Sequence, residues 1–192
     1  MTNYITLHSP RTAVVDRLRS AEASGTMQAA SVVSFALLTA AAAQAQFYLW
    51  EVPITLQTAA VYGSGLFLGW RNGFLAQLLY LTLGLFLPVF AGEGFGPAYL
   101  LAAASAGYLM AAPLGAAVTG WLSENWNSLT GSMVAMAVGA LVVFSLGVVW
   151  LHYAAGHPTW FESIDKGFLR FIPIDLAKIV GVSVLYSGIR RW

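Results

Sequence analysis

The chain reads as an all-α integral membrane protein, a bundle of six transmembrane helices with both termini cytoplasmic. Three observations predict that class. Only 9% of the 192 residues are charged while 58% are hydrophobic, against about 25% charged in an average soluble domain. A soluble fold of this length could not coat its surface with so few charges, whereas lipid needs no polar coat. The chain also divides into six apolar stretches, each near the length a spanning helix needs, about 20 residues. Finally, six of the 7 tryptophans, Trp50, Trp70, Trp121, Trp126, Trp150 and Trp192, fall near predicted helix ends, where an interfacial aromatic belt belongs.

Residues 1–26 form a cytoplasmic N-terminal segment that holds Arg11, Asp16, Arg17, Arg19 and Glu22. Ser9-Pro10 is a helix-start pattern. Val14, Val15, Leu18 and Ala21 then share a helical face, as in a short helix on the membrane surface; a disordered tail is the alternative. Residues 27–192 form the six-helix membrane domain. The first helix is predicted at 27–49. The second, at 55–69, is ended by the glycine-bounded turn Gly69-Trp70-Arg71-Asn72-Gly73. The third covers 74–87 and runs into the glycine-rich loop Ala91-Gly92-Glu93-Gly94-Phe95-Gly96-Pro97. The fourth spans 98–122, and the polar run Ser123-Glu124-Asn125-Trp126-Asn127 parts it from the fifth at 129–151. A longer segment, 152–170, carries most of the remaining charges before the sixth helix at 171–189. The second and third helices are short for a full crossing, so tilt or breaks near Pro53 and Pro88 are expected.

Basic residues set the orientation. With six spans the termini share a side, and that side carries Arg11, Arg17, Arg19, Arg71, Arg190 and Arg191 of the 9 lysines and arginines. Lys166 and Arg170 lie opposite, so the loops after helices one, three and five face outward. Ala43-Gln44-Ala45 mimics a signal-peptidase site. Removing the first helix there would leave five spans with termini on opposite sides, and the basic bias would fit less well.

Several function classes fall away. A net charge of +1 offers no basic stripe for nucleic acid. Zero cysteines exclude disulfides, thiolate metal sites and cysteine nucleophiles. His8, His152 and His157 are scattered without metal-ligand spacing. No serine sits in a nucleophile elbow, and no Walker motif is present, so neither an enzyme nor a self-powered pump is expected, and no cofactor is implied.

The sharpest signal is Asp175 with Lys178, three residues apart on one face of an apolar helix. Each charge costs roughly 2.5–3.5 kcal/mol at mid-helix, while an (i, i+3) pair returns roughly 0.2–0.5. That imbalance favours a ligand or pathway role over a self-neutralising pair. The groups lie roughly 6–10 Å below the outer helix end. Gln57, at the outward-facing start of the second helix, serves a ligand or an interhelical polar contact equally well. Three glycines between Gly92 and Gly96 allow close backbone approach or a hinge, and a tight turn explains them nearly as well. On the first helix, Ala36/Ala40 and Ala41/Ala45 are small residues four apart, as are Gly65 and Gly69 on the second. Such faces let helices approach closely, and spacing alone does not separate a partner within the chain from another subunit.

Several of these segments, taken together, resemble the BioY family. The matching motifs, in order, are Val52-Pro53-Ile54-Thr55-Leu56-Gln57-Thr58; Gly69 with Arg71; Leu79-Tyr80-Leu81 through Gly84; Leu87-Pro88-Val89-Phe90-Ala91-Gly92; Gly107-Tyr108; and Pro173-Ile174-Asp175-Leu176-Ala177-Lys178. The resemblance implies the biotin-specific S component of an energy-coupling-factor transporter in the bacterial cytoplasmic membrane. It implies a partner membrane coupling protein with two ATP-hydrolysing subunits. It further implies that Asp175 and Lys178 help line a biotin pocket, that the loop from Gly92 to Gly96, with Glu93 and Phe95, closes over it, and that Ala36, Ala40, Ala41 and Ala45 form the coupling face. Tyr80, Phe90, Phe95 and Tyr108 are then expected as apolar walls, with Gln57 adding a hydrogen bond. The sequence departs from the family pattern at Ala103-Ala104-Ser105-Ala106, at Ile174 and at Glu93 and Phe95. An S component for another vitamin, and a membrane scaffold without transport, are the competing readings, and a homo-oligomer stays open.

Overall fold

The computed structural model describes residues 14–19, 23–48, 51–126 and 128–190. Of the residues named above, His8, Ser9, Pro10, Arg11, Ala21, Glu22, Trp50, Asn127, Arg191 and Trp192 lie outside them. The fold is helical: α1 (Val14–Arg19), α2 (Gly25–Gln44), α3 (Gln57–Gly84), α4 (Gly96–Ala102), α5 (Ala106–Asn125), α6 (Leu129–Ala154), α7 (Trp160–Gly167) and α8 (Ile172–Arg190). A two-residue antiparallel ladder joins β1 (Gln46–Phe47) to β2 (Ile54–Thr55).

Glycine decides how α3 runs. Gly69 has φ 78 and ψ 175, a left-handed conformation that a Cβ would strain, and there the helix doubles back. Gln77 Nε2 consequently donates to Ser64 Oγ at 3.0 Å, a contact a straight helix would place about 20 Å apart. The two halves, 57–68 and 70–84, lie close enough that a Cβ on Gly73 would meet Gly65 Cα at 2.7 Å. The second and third predicted helices are these halves, and the expected turn is a reversal at Gly69. The small residues Gly65 and Gly69 therefore serve packing within the chain.

Around this hairpin α3 packs against α2 and α5, α5 against α6, and α8 closes on α3 and α6. The core holds Tyr62, Leu66, Ala112, Met136, Val143 and Ile179. By length and apolarity α2 and α6 can cross a membrane, and α4 with α5 make a third span if counted as one.

The predicted fourth helix, 98–122, is corrected: it breaks at residues 103–105, and α4 turns 93° from α5. Ala103 is extended at ψ 140, and its carbonyl accepts from the Trp150 indole at 2.9 Å, so an aromatic donor on α6 holds the break. The segment at 152–170 contains α7, whose start is set by the Thr159 side chain accepting from Glu162 N.

One end of the bundle brings α1 together with the last turn of α8. Val15 of α1 is buried in the core rather than turned to lipid. Arg19 donates to Leu66 O at 3.2 Å, Gly120 O at 3.4 Å, Ser123 Oγ at 3.1 Å and Tyr186 Oη at 2.8 Å, tying α3, α5 and α8 together. Asp16 pairs with Arg190 at 3.1 Å.

Candidate functional site

At the opposite end, a narrow cavity opens between the first half of α3, α5, α6 and α8. The β1–β2 hairpin supplies Val52, Pro53 and Thr55 to its wall, α3 supplies Gln57, Thr58 and Val61, and α5 supplies Tyr108, Leu109 and Ala112. Ala91, Tyr99 and Ser105 lie toward the mouth, Val143, Phe144 and Phe171 form an apolar side, and Lys178 is the single charged residue of the lining.

Lys178 is held by a buried network. Its Nζ donates to Thr58 Oγ1 at 2.8 Å and to Asp175 Oδ1 at 3.2 Å. Thr58 donates onward to Asp175 Oδ1 at 2.8 Å, and Tyr62 donates to Asp175 Oδ2 at 3.1 Å. The side chains of Lys178 and Asp175 are 7% and 6% exposed, so both charges are out of solvent and each depends on the other. Asp175 sits behind the cavity wall with its oxygens occupied. Of the ammonium's three donors two are engaged within the described residues, leaving one for a guest. Buried charges of this kind are retained when paired and hydrogen-bonded, and here the pairing presents one donor to an apolar chamber.

Two covers close the mouth. The loop after α3 forms a 3-10 turn at Ala91–Glu93. Gln44 Nε2 donates to Val89 O and Phe90 O, each at 3.2 Å, Tyr80 Oη donates to Val89 O at 3.2 Å, and Tyr99 Oη to Ala91 O at 3.3 Å. The other cover is the hairpin, tethered to α7 by Lys166 Nζ to Glu51 Oε1 at 3.0 Å, with His157 Nε2 at 3.7 Å from the same oxygen. The backbone N–H of Glu51 and the Lys166 ammonium hold the Glu51 carboxyl below its ordinary value.

The structure brings Lys178, Gln57 and Tyr108 onto the lining and Asp175 directly behind it. Tyr108 also donates to Gly167 O at 2.8 Å, bracing α7. It does not bring Tyr80 or Phe90 to the cavity: both are buried in a separate cluster with Ala36 and Leu109. Gly84 lets the Phe90 ring lie against α3, where it meets Tyr80 edge-on at 5.5 Å and stacks on Tyr99 at 5.5 Å. These two aromatics support the loop instead of lining a pocket. Gly92 (φ 67) and Glu93 (φ 59) make the left-handed turn, and Glu93 and Phe95 point outward, Phe95 57% exposed; Ala91 is the loop residue that reaches the chamber.

The alanine pairs are split. Ala36 is fully buried and Ala40 half-buried, both packed with Tyr80 and Phe90, while Ala41 and Ala45 are exposed. As a face for another subunit, Ala36 is corrected by its burial against α3.

Sequence reasoning missed Thr58 as a network member, and Tyr62 altogether. The available signal was Tyr62 one turn beyond Thr58 on the same helix face.

Comparison with known proteins agrees with this architecture. The family model described as BioY matches residues 13–192. A probable biotin transporter BioY of Lysinibacillus sphaericus is 33% identical over 168 residues, covering 83% of this chain and 85% of that protein. A biotin transporter BioY of Thermotoga maritima is 34% identical over 144 residues, covering 74% and 83%. Among solved structures, an S-component for biotin from an ECF-type ABC transporter superposes with a TM-score of 0.78 at 22% identity, covering 87% of this chain and 92% of that one. The shared fold, the length of the family match and the two relatives lead to one conclusion: the chain belongs to the BioY family.

Proposed function

We propose that this multi-pass membrane protein captures biotin from outside the cell as the substrate-binding component of an energy-coupling-factor transporter. The observation that carries the reading is Lys178, a buried ammonium on the wall of a mostly apolar, doubly covered chamber, in a chain whose relatives are named biotin transporters. Biotin offers an apolar body with polar groups, which suits such a chamber. Lys178 supplies a donor, Gln57 a second polar contact, and Tyr108 and Phe144 the apolar wall. Gly92, Glu93 and Phe95 ride on the cover that admits the ligand.

The six spans are α2, the two halves of α3, α5, α6 and α8, in the bacterial cytoplasmic membrane. The basic residues Arg17, Arg71 and Arg190 favour an orientation with the closed end and both termini in the cytoplasm and the mouth outside. Residues 27–192 then act as the binding domain, with residues 1–26 on the cytoplasmic side. Lacking a nucleotide-binding motif, the chain draws its energy from a coupling protein with two ATPase subunits, meeting it through the exposed Ala41 and Ala45 side of α2. No catalytic step is part of this reading.

Calorimetric titration of biotin into the purified, lipid-reconstituted chain tests it, with riboflavin, thiamine and niacin as competitors. Saturable binding that only biotin displaces is expected. No binding, together with no biotin released from the purified protein on mass spectrometry, would sink the biotin assignment.

A further inference from the structure

We propose that Tyr62 and Thr58 are positioning residues of the binding site, acting through Asp175 to aim Lys178 into the cavity. The inference deepens the ligand-capture reading and rests on it. Asp175 is not on the cavity lining, whereas Lys178 is, and the carboxylate accepts from three donors on two helices. A carboxylate with both oxygens engaged has little left for a guest, so its task is to hold its neighbour. Thr58 is the pivot. Its single proton goes to Asp175 Oδ1 and its lone pair receives Lys178 Nζ, both at 2.8 Å, so one hydroxyl fixes the direction of the ammonium. Tyr62 fixes the other end. It is completely buried, and its donation to Oδ2 sets the rotation of the carboxylate plane.

Distance along the chain adds to the case. Tyr62 and Asp175 are 113 residues apart and Thr58 and Lys178 are 120 apart. The four groups meet only because the first half of α3 lies against the start of α8. The network also leaves the chamber electrically balanced, since the Asp175 charge offsets that of Lys178. A neutral acceptor, such as a carbonyl oxygen, can therefore take the remaining N–H without burying a net charge. A positioned donor is worth more than a mobile one because the guest does not have to order it.

The test uses the full chain in lipid nanodiscs. Tyr62→Phe removes one oxygen and keeps the ring. Biotin affinity is expected to fall roughly tenfold to a hundredfold, the range for hydrogen bonds to charged groups. Thr58→Val should weaken binding similarly and Thr58→Ser should restore it. Adding Tyr62→Phe to Asp175→Asn should cost little more than Asp175→Asn alone, a coupling that a packing role would not produce. Difference infrared spectra supply a readout without biotin: Tyr62→Phe should shift a carboxylate band that is missing in the Asp175→Asn background. Wild-type affinity in Tyr62→Phe, additive losses, or an unmoved band would each overturn the proposal. Should the unaltered chain fail to bind biotin, the substrate assignment fails alone, and the infrared band still decides whether Tyr62 positions the carboxylate. If Tyr62→Phe does not fold, Thr58→Val carries the test through the same infrared band: because Thr58 also donates to Asp175 Oδ1, the carboxylate band should shift without biotin and return in Thr58→Ser, and an unmoved band would overturn the proposal.

Discussion

Lys178 and Asp175 are unequal partners, and their inequality is testable. Lys178 faces the chamber and Asp175 backs it, so each substitution removes something different. Lys178→Met removes the cavity donor and strands a buried carboxylate. Asp175→Asn keeps the shape but strands a buried ammonium. Removing one member of a buried pair costs about 3–5 kcal/mol of stability, while replacing both is often near neutral. Both single variants are therefore expected to lose thermal stability and biotin affinity. The double variant Asp175→Asn with Lys178→Met should regain stability yet stay defective in binding. Parallel melting and titration experiments separate the two outcomes; a double variant as unstable as the worse single one would refute the pairing. The two charges were legible because an ionised group in an apolar helix is conspicuous on its own. Thr58 and Tyr62 were not, since hydroxyl-bearing residues are common in apolar helices and nothing in their spacing announces α8. Tyr80 and Phe90 were misplaced for a related reason: an aromatic near a loop looks the same whether it walls a pocket or braces the loop from beneath.

At the scale of elements, the reversal of α3 is the feature on which the site depends, and it was readable. Gly69 and Gly73 bracket the turn in the sequence, and the structure places φ 78 at Gly69. The neighbouring helix shares the constraint: a Cβ on Gly120 would run into the backbone of Gly69 and Trp70. Backbone cannot move aside as a flexible side chain can. Gly120→Ala is expected to cost about 1–3 kcal/mol, seen as a lower melting temperature. Gly181→Ala on α8, where an added Cβ meets nothing within 4 Å, should be neutral or stabilising by helix propensity. Equal melting of the two variants would contradict the close packing. The hairpin and α7 escaped the sequence reading because strands of two residues carry no periodicity and α7 is only two turns long. Their contact predicts a pH response. The Glu51 carboxyl is held below its ordinary 4.5, first by its own backbone N–H and then by Lys166. Such a group contributes stability above the ordinary value and loses it as pH falls through the lowered one. Amide protection in the hairpin, taken relative to the pH-dependent intrinsic exchange rate, should therefore be high at pH 7 and fall below about 4.5, with Glu51→Gln flattening that step. A step of unchanged size in Glu51→Gln would assign it to another group.

Across the whole molecule, the two ends of the bundle have different chemistry. At one end Arg19 crosslinks three helices and Asp16 meets Arg190, a closed end that presents basic side chains around it. At the other lie the chamber, the two covers and α7, whose charges pair with one another: Lys166 with Glu51 and Glu162, and Arg170 with Asp165. Orientation follows the lysines and arginines themselves and not the net charge, and Arg17, Arg19, Arg71 and Arg190 lie toward the closed end, so the proposed topology has that end on the cytoplasmic side. The absence of native cysteine makes this directly measurable. Ala98 on α4 is exposed beside the mouth and Glu124 is exposed near the closed end, so a single cysteine at each reports which side of the membrane it occupies. In intact cells, a membrane-impermeant maleimide should label Ala98→Cys, while Glu124→Cys should react only after the membrane is opened. The reverse pattern would turn the mouth toward the cytoplasm. A chamber opening inward could not receive a solute from outside, and the uptake reading would fail even with biotin bound.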